Sequence, residues 1–158
     1  MPVRRLGVRA LVAATVLAGG VISGPAHADS SCTTTLCASA SLYGIQDDWG
    51  QCAPYPGMPR WRICHYSWNY WASASSTLPG SIAWHTSTSL GPYEDDAKTW
   101  TTGGYSTGWR KIGTLPRGVQ CGTTYTEFAT VTVHAFDTLN PSGLHPWEYR
   151  TLDLVPGC

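Results

Sequence analysis

Apolar and polar residues alternate along much of this chain with a period of two, the pattern of a β-strand whose two faces meet different surroundings. In residues 64 to 72, Cys64, Tyr66, Trp68, Tyr70 and Ala72 form an apolar row. His65, Ser67 and Asn69 form the polar row opposite, broken only by Trp71. A second alternation passes through Ile82, Trp84, Thr86 and Thr88, and a third sets Ala129, Val131, Val133 and Ala135 against Thr130, Thr132 and His134. Shorter strands are expected at Ala38 to Tyr43, Gly108 to Leu115 and Trp147 to Val155, with a turn near Glu94 to Trp100. Prolines and glycines fall in the gaps, and no stretch carries a convincing helical period. Short strands separated by turn chemistry predict an all-β fold, a two-layer antiparallel β-sandwich.

The first 28 residues read differently. Arg4, Arg5 and Arg9 precede an apolar stretch from Ala10 to Ser23, and Ala26-His27-Ala28 places small residues where a signal peptidase reads. The expectation is an export signal removed after Ala28, leaving residues 29–158 as a single secreted domain. The apolar stretch is shorter than the roughly 20 residues needed to cross a bilayer, and nothing after it is more apolar, so no membrane insertion is expected. Without the leader, seven Lys and Arg face ten Asp and Glu, a net charge of −3. That balance argues against nucleic acid as a partner. No cofactor is expected, and the domain is read as a monomer.

Cys32, Cys37, Cys52, Cys64, Cys121 and Cys158 are an even set in an exported chain, the usual context for disulfides. Many pairings are open. The sequential one is preferred because Cys52 and Cys64 bracket a proline-rich turn and Cys158 gains from being tied down.

Val119, Gly122-Thr123 and Tyr125, followed by the alternation from Ala129 to Ala135, resemble the approach and sixth strand of fibronectin type III and immunoglobulin-like modules. The resemblance implies a sandwich in which Tyr125 closes a corner by hydrogen bonding to the preceding loop. Glu127 stands where that family places an apolar residue. No function follows from such a likeness, since sandwiches of this kind carry many activities.

Three groups of residues suggest chemistry. Gly104-Tyr105-Ser106-Thr107-Gly108 matches G-x-S-x-G, and Asp137 and His145 follow in the order of a hydrolase triad. The alternative reading is therefore a small secreted serine hydrolase using Ser106, Asp137 and His145. That motif requires a helix after the serine, and the residues after Ser106 are too short and too rich in breakers to form one. His65, His85, His134 and His145 have no spacing that places two ligands side by side, so no metal site is expected. Glu94-Asp95-Asp96 and Asp47-Asp48 offer oxygen ligands without EF-hand spacing and read as solvated acidic segments.

The eight tryptophans exceed what a small core readily hides. Trp68 and Trp84 have core phase; Trp71 breaks its strand's pattern and Trp61 falls in a loop, so these two are read as surface aromatics. The segment from Cys52 to Cys64 contains Tyr55, three prolines and Arg60-Trp61-Arg62. If its cysteines pair, an Arg-Trp-Arg tip is held stiff and binds at little ordering cost. Small secreted actinomycete inhibitors of amylase are similar in presenting Trp-Arg-Tyr on a disulfide-closed hairpin. The leading expectation is a secreted binding protein that recognises an extracellular protein, as an enzyme inhibitor does, or a polysaccharide, through Tyr55, Arg60, Trp61, Arg62 and Trp71. A structural protein of the cell surface or spore coat is the other alternative.

Overall fold

A computed structural model describes residues 29–45, 52–89, 91 and 93–157. The leader, Asp47-Asp48 and Cys158 lie outside these residues. Two antiparallel sheets make up the fold, and no helix is present among the described residues. None is long and apolar enough to cross a membrane.

The first sheet holds β1 (Asp29–Cys32), β2 (Leu36–Ile45), β3 (Ala53–Tyr55), β4 (Met58–Ser76), β7 (Tyr105–Ser106) and β8 (Arg110–Gln120). Its spine is β4. Along one edge of β4 lie β2, paired from Leu36↔Ser76 to Ile45↔Ser67, and β3; along the other lie β7 and β8. The second sheet holds β5 (Gly80–Thr88), β6 (Tyr93–Trp100), β9 (Tyr125–Asp137), β10 (Asn140–Leu144) and β11 (Trp147–Leu154). Here β9 is flanked by β5 on one side and by β10 and β11 on the other, and β6 is the outermost strand beyond β5.

The alternation seen in the sequence determines which side chains face inward. Leu36, Leu42, Trp68, Tyr70 and Ile112 of the first sheet meet Ile82, Trp84, Val131, Val133 and Leu152 of the second in one continuous core. Trp68 and Trp84 are buried, as their phase requires. A buried carboxylate also enters this layer: Glu127 is wholly inaccessible and accepts hydrogen bonds from the Arg117 guanidinium and the Ser89 hydroxyl. Pairing with a cation and a hydroxyl is what allows a charge at a position where an apolar residue is usual.

Residues Glu94 to Trp100 are not a turn. They belong to β6, which pairs with β5 from Gly80↔Trp100 to Ser87↔Tyr93. As an outermost strand β6 buries only Trp100, so no apolar row marks it in the sequence.

Cys32–Cys37 closes the β1–β2 hairpin and Cys52–Cys64 closes the β3–β4 hairpin. Cys121 has no disulfide partner among the described residues. The Gly122 amide donates to the Pro156 carbonyl at 2.9 Å, which brings the chain to within two residues of Cys158 alongside Cys121. We expect the protein to gain two hydrogens per bridge on full reduction, for all six cysteines. A mass change corresponding to two bridges would show Cys121 and Cys158 to be free thiols.

Candidate functional site

The residues of the formal triad are not brought together. Ser106 pairs with Ser73 at the edge of the first sheet and faces outward, whereas Tyr105 beside it turns inward and stacks on Trp84. His145 follows β10 and stacks on His134, on the outer face of the second sheet. The two glycines have conformational reasons of their own: a Cβ on Gly104 would run into the Ala74 carbonyl, and Gly108 has φ +63°. Ser106 lacks the strained backbone of a nucleophile elbow, since no non-glycine residue among the described residues has positive φ.

Asp137 is buried and acts as a hub. It accepts hydrogen bonds from Thr35 Oγ1 (2.9 Å), Ser76 Oγ (2.7 Å), Asn140 Nδ2 (2.7 Å) and the amides of Leu139 (3.0 Å) and Asn140 (2.8 Å). Burial pushes its carboxyl up, but these donors outweigh burial and hold it down to about 2. A depressed folded-state value means that the unfolded chain binds the proton more tightly. The carboxylate's stabilising contribution is therefore complete above its ordinary value of 3.8 and is lost as the pH falls toward 2. Asp137→Asn should lower stability at neutral pH and flatten the decline between pH 4 and 2, as urea unfolding at several pH values would record. An unchanged acid profile would remove Asp137 from this role.

The Cys52 to Cys64 segment is a hairpin whose tip is Pro56-Gly57, with φ +74° at the glycine, rather than Arg60-Trp61-Arg62. Those three residues lie on β4, where the register against β3 shifts. The displacement follows from turn chemistry: a Pro-Gly pair closes a tight turn more readily than the residues after it. Arg62 donates to the carbonyls of Pro59 (3.0 Å) and Trp61 (2.9 Å), so its guanidinium fastens the irregular stretch instead of reaching out. Tyr55 and Trp61 both approach Gly118 of β8 and remain partly exposed beside Arg60 and Met58.

Trp71 points away from the core and belongs to a cluster on the outer face of the first sheet. The Trp109 ring meets Tyr43 at 4.8 Å and Trp71 at 5.7 Å, in both cases edge to face.

Among the described residues, the outer face of the second sheet carries a row of exposed aromatic rings. Phe128 stacks with Tyr149 at 6.1 Å; Trp147 is 57% exposed one pleat further along β11; His145 stacks on His134 at 4.2 Å; and Phe136 lies 5.9 Å from His134. From Phe128 to Phe136 this row follows β9 for about 27 Å at the usual strand rise. Beside it, His85, Asp95, Thr132, His134, His145 and Trp147 line an open trough of about 690 Å³. His85 Nδ1 is held 2.5 Å from Asp95 Oδ1, which orients the imidazole, and Tyr93 lies 6.2 Å from the same ring. Among the described residues no group of three or more His, Cys, Asp or Glu is arranged to hold a metal ion. The acids of β6 each have a side-chain partner: Glu94 meets the Arg110 guanidinium, Asp95 the His85 imidazole and Asp96 the Lys98 ammonium, and they lie on a strand rather than in an acidic loop.

Sequence reasoning missed Phe128, Phe136, Trp147 and Tyr149. A signal for the first two was present, because both share the phase of Thr130, Thr132 and His134, opposite the buried row. No protein-family model matches the chain, and no curated protein matches it in sequence.

Proposed function

We propose that the protein is an exported binding module that holds a polysaccharide against the outer face of its second sheet. The observation that carries this reading is that Phe128, Tyr149, Trp147, His145, His134 and Phe136 share this one face, with hydroxyl, imidazole and carboxylate groups beside them. A pyranose ring has a flat C–H face that rests on an aromatic ring and a rim of hydroxyls that need hydrogen-bond partners. Thr132, His85 and Asp95 offer such partners within the trough. The two disulfides and the leader support export. The likeness to fibronectin type III and immunoglobulin-like modules gains support from the Tyr125 hydroxyl, which accepts from the amide of Gln120, the last residue of β8, at 2.9 Å.

Affinity electrophoresis through gels containing dissolved polysaccharides tests the proposal. The parent should be retarded, and Trp147→Ala with Tyr149→Ala should weaken binding by about 2 kcal/mol or more, roughly thirtyfold. No retardation by any polysaccharide would overturn it.

A second reading, recognition of an extracellular protein through Tyr55, Arg60 and Trp61, is favoured by the stiffness of the β3–β4 hairpin, which Cys52–Cys64 and the Arg62 guanidinium both restrain. In that case Trp61→Ala would weaken a partner and Trp147→Ala would not.

A further inference from the structure

We infer that a second glycan-binding face lies on the first sheet, on the opposite side of the sandwich, and that the protein cross-links polysaccharide chains rather than coating one. The inference rests on the polysaccharide reading of the second sheet and extends it to another surface.

Tyr43 and Trp71 stand on the side of the first sheet turned away from the core, and Trp109 joins them from the loop after β7. Edge-to-face contacts fix all three rings without stacking them flat on one another, and Trp109 keeps 47% of its surface exposed. Next to this cluster an open trough of about 480 Å³ runs across the sheet. Its floor is a line of hydroxyls: Ser30 stands opposite Ser39, Ser39 opposite Ser73, and Ser73 opposite Ser106, on four successive strands. At the usual strand separation this line is about 14 Å long. Ser39 and Ser73 already bond to each other at 2.7 Å, which sets the direction of their lone pairs.

The charge of the lining selects the occupant. The side chains of Ser30, Ser39, Ser73, Ser75, Ser106 and the other residues lining the trough include no carboxylate, ammonium, guanidinium or imidazole. A nucleic acid, an acidic glycan or a charged protein surface would find no counter-charge there for the charges it brings. An uncharged polyol would not. Aromatic rings beside a neutral, hydroxyl-floored trough thus match an uncharged glycan. The two aromatic faces are separated by the whole thickness of the core, so one extended chain on each face gives a bridge between two chains.

The test uses the mature protein with four neutral probes: hydroxyethylcellulose, mixed-linkage β-glucan, galactomannan and soluble starch. Retardation in gels reports binding, and the rise in viscosity or light scattering of the dissolved polymer reports cross-linking. Near-ultraviolet circular dichroism checks the fold of each variant. The parent should be retarded by at least one probe and should cross-link it. Trp109→Ala, and independently Ser106→Arg at an exposed position, should still be retarded but lose cross-linking, with avidity for the polymer falling about a hundredfold. Trp147→Ala with Tyr149→Ala should likewise lose cross-linking while weaker retardation persists, and the combination of both faces should abolish retardation. If the parent is retarded without cross-linking, or if Trp109→Ala and Ser106→Arg both cross-link as the parent does, the second face is overturned while the first stands. Absence of retardation by every probe overturns both.

Discussion

Replacing Trp84 with alanine should destabilise the fold by about 4 kcal/mol, the largest effect expected of any single substitution here. Trp84 is a tie between the two sheets. Its ring is 3% exposed and stacks on Tyr105 of the first sheet at 5.7 Å, nearly parallel. Its indole N–H donates to the Tyr70 hydroxyl at 3.2 Å, and the Arg110 guanidinium stands 6.0 Å from the ring. Burial, and next the hydrogen bond to Glu94, push the Tyr70 phenol up to about 12, so it remains a neutral partner through the physiological range. Truncation therefore removes a large buried surface and also the donor to a buried hydroxyl. Trp84→Phe restores much of the volume and isolates the hydrogen bond, with an expected loss of about 1–2 kcal/mol. Urea unfolding followed by far-ultraviolet circular dichroism measures both; a loss below about 1 kcal/mol for the alanine variant would show that the sheets are held mainly elsewhere.

Removal of Arg117 should cost about 3 kcal/mol, because Arg117→Met leaves the Glu127 carboxylate inside the core without its cation. Arg117 is itself partly exposed, with its guanidinium 5.6 Å above the Tyr125 ring, and solvent screens its side of the pair. The penalty therefore sits with the stranded carboxylate rather than with the lost attraction. The double variant Arg117→Met with Glu127→Leu, which removes both charges, should recover most of the stability. A double variant as unstable as the single one would mean that the pair is irreplaceable for reasons of shape.

The strands that alternate strongly were legible in the sequence because each has one face in the core. β4 extends beyond the expected run, to Met58 and Ser76, by pairing with the short β3 at one end and with β2 and the two-residue β7 at the other. β6 was invisible for a related reason: its polar residues are held by side-chain partners on other strands or further along β6, and Glu94, Asp95 and Asp96 look like a loop until Arg110, His85 and Lys98 are placed beside them. The cysteine pairs Cys32–Cys37 and Cys52–Cys64 follow the sequential reading because both close hairpins. The site was only partly legible. Trp71 betrayed itself by its wrong phase, but its neighbours Tyr43 and Trp109 reach it from separate parts of the chain, and no local pattern joins them. Arg62 looked available for a partner, and only the geometry of the irregular stretch before it shows the guanidinium turned back onto backbone carbonyls.

The one-to-one matching of acids and bases on β6 bears on how this protein behaves in crowded company. An outermost strand presents unpaired amides and carbonyls, on which the strand of another molecule can build a fibre. Along β6 such an intruder would have to strip water from three carboxylates and from the His85, Lys98 and Arg110 side chains paired with them, while gaining only backbone hydrogen bonds. Those side chains therefore work against β6 serving as a template for edge-to-edge pairing.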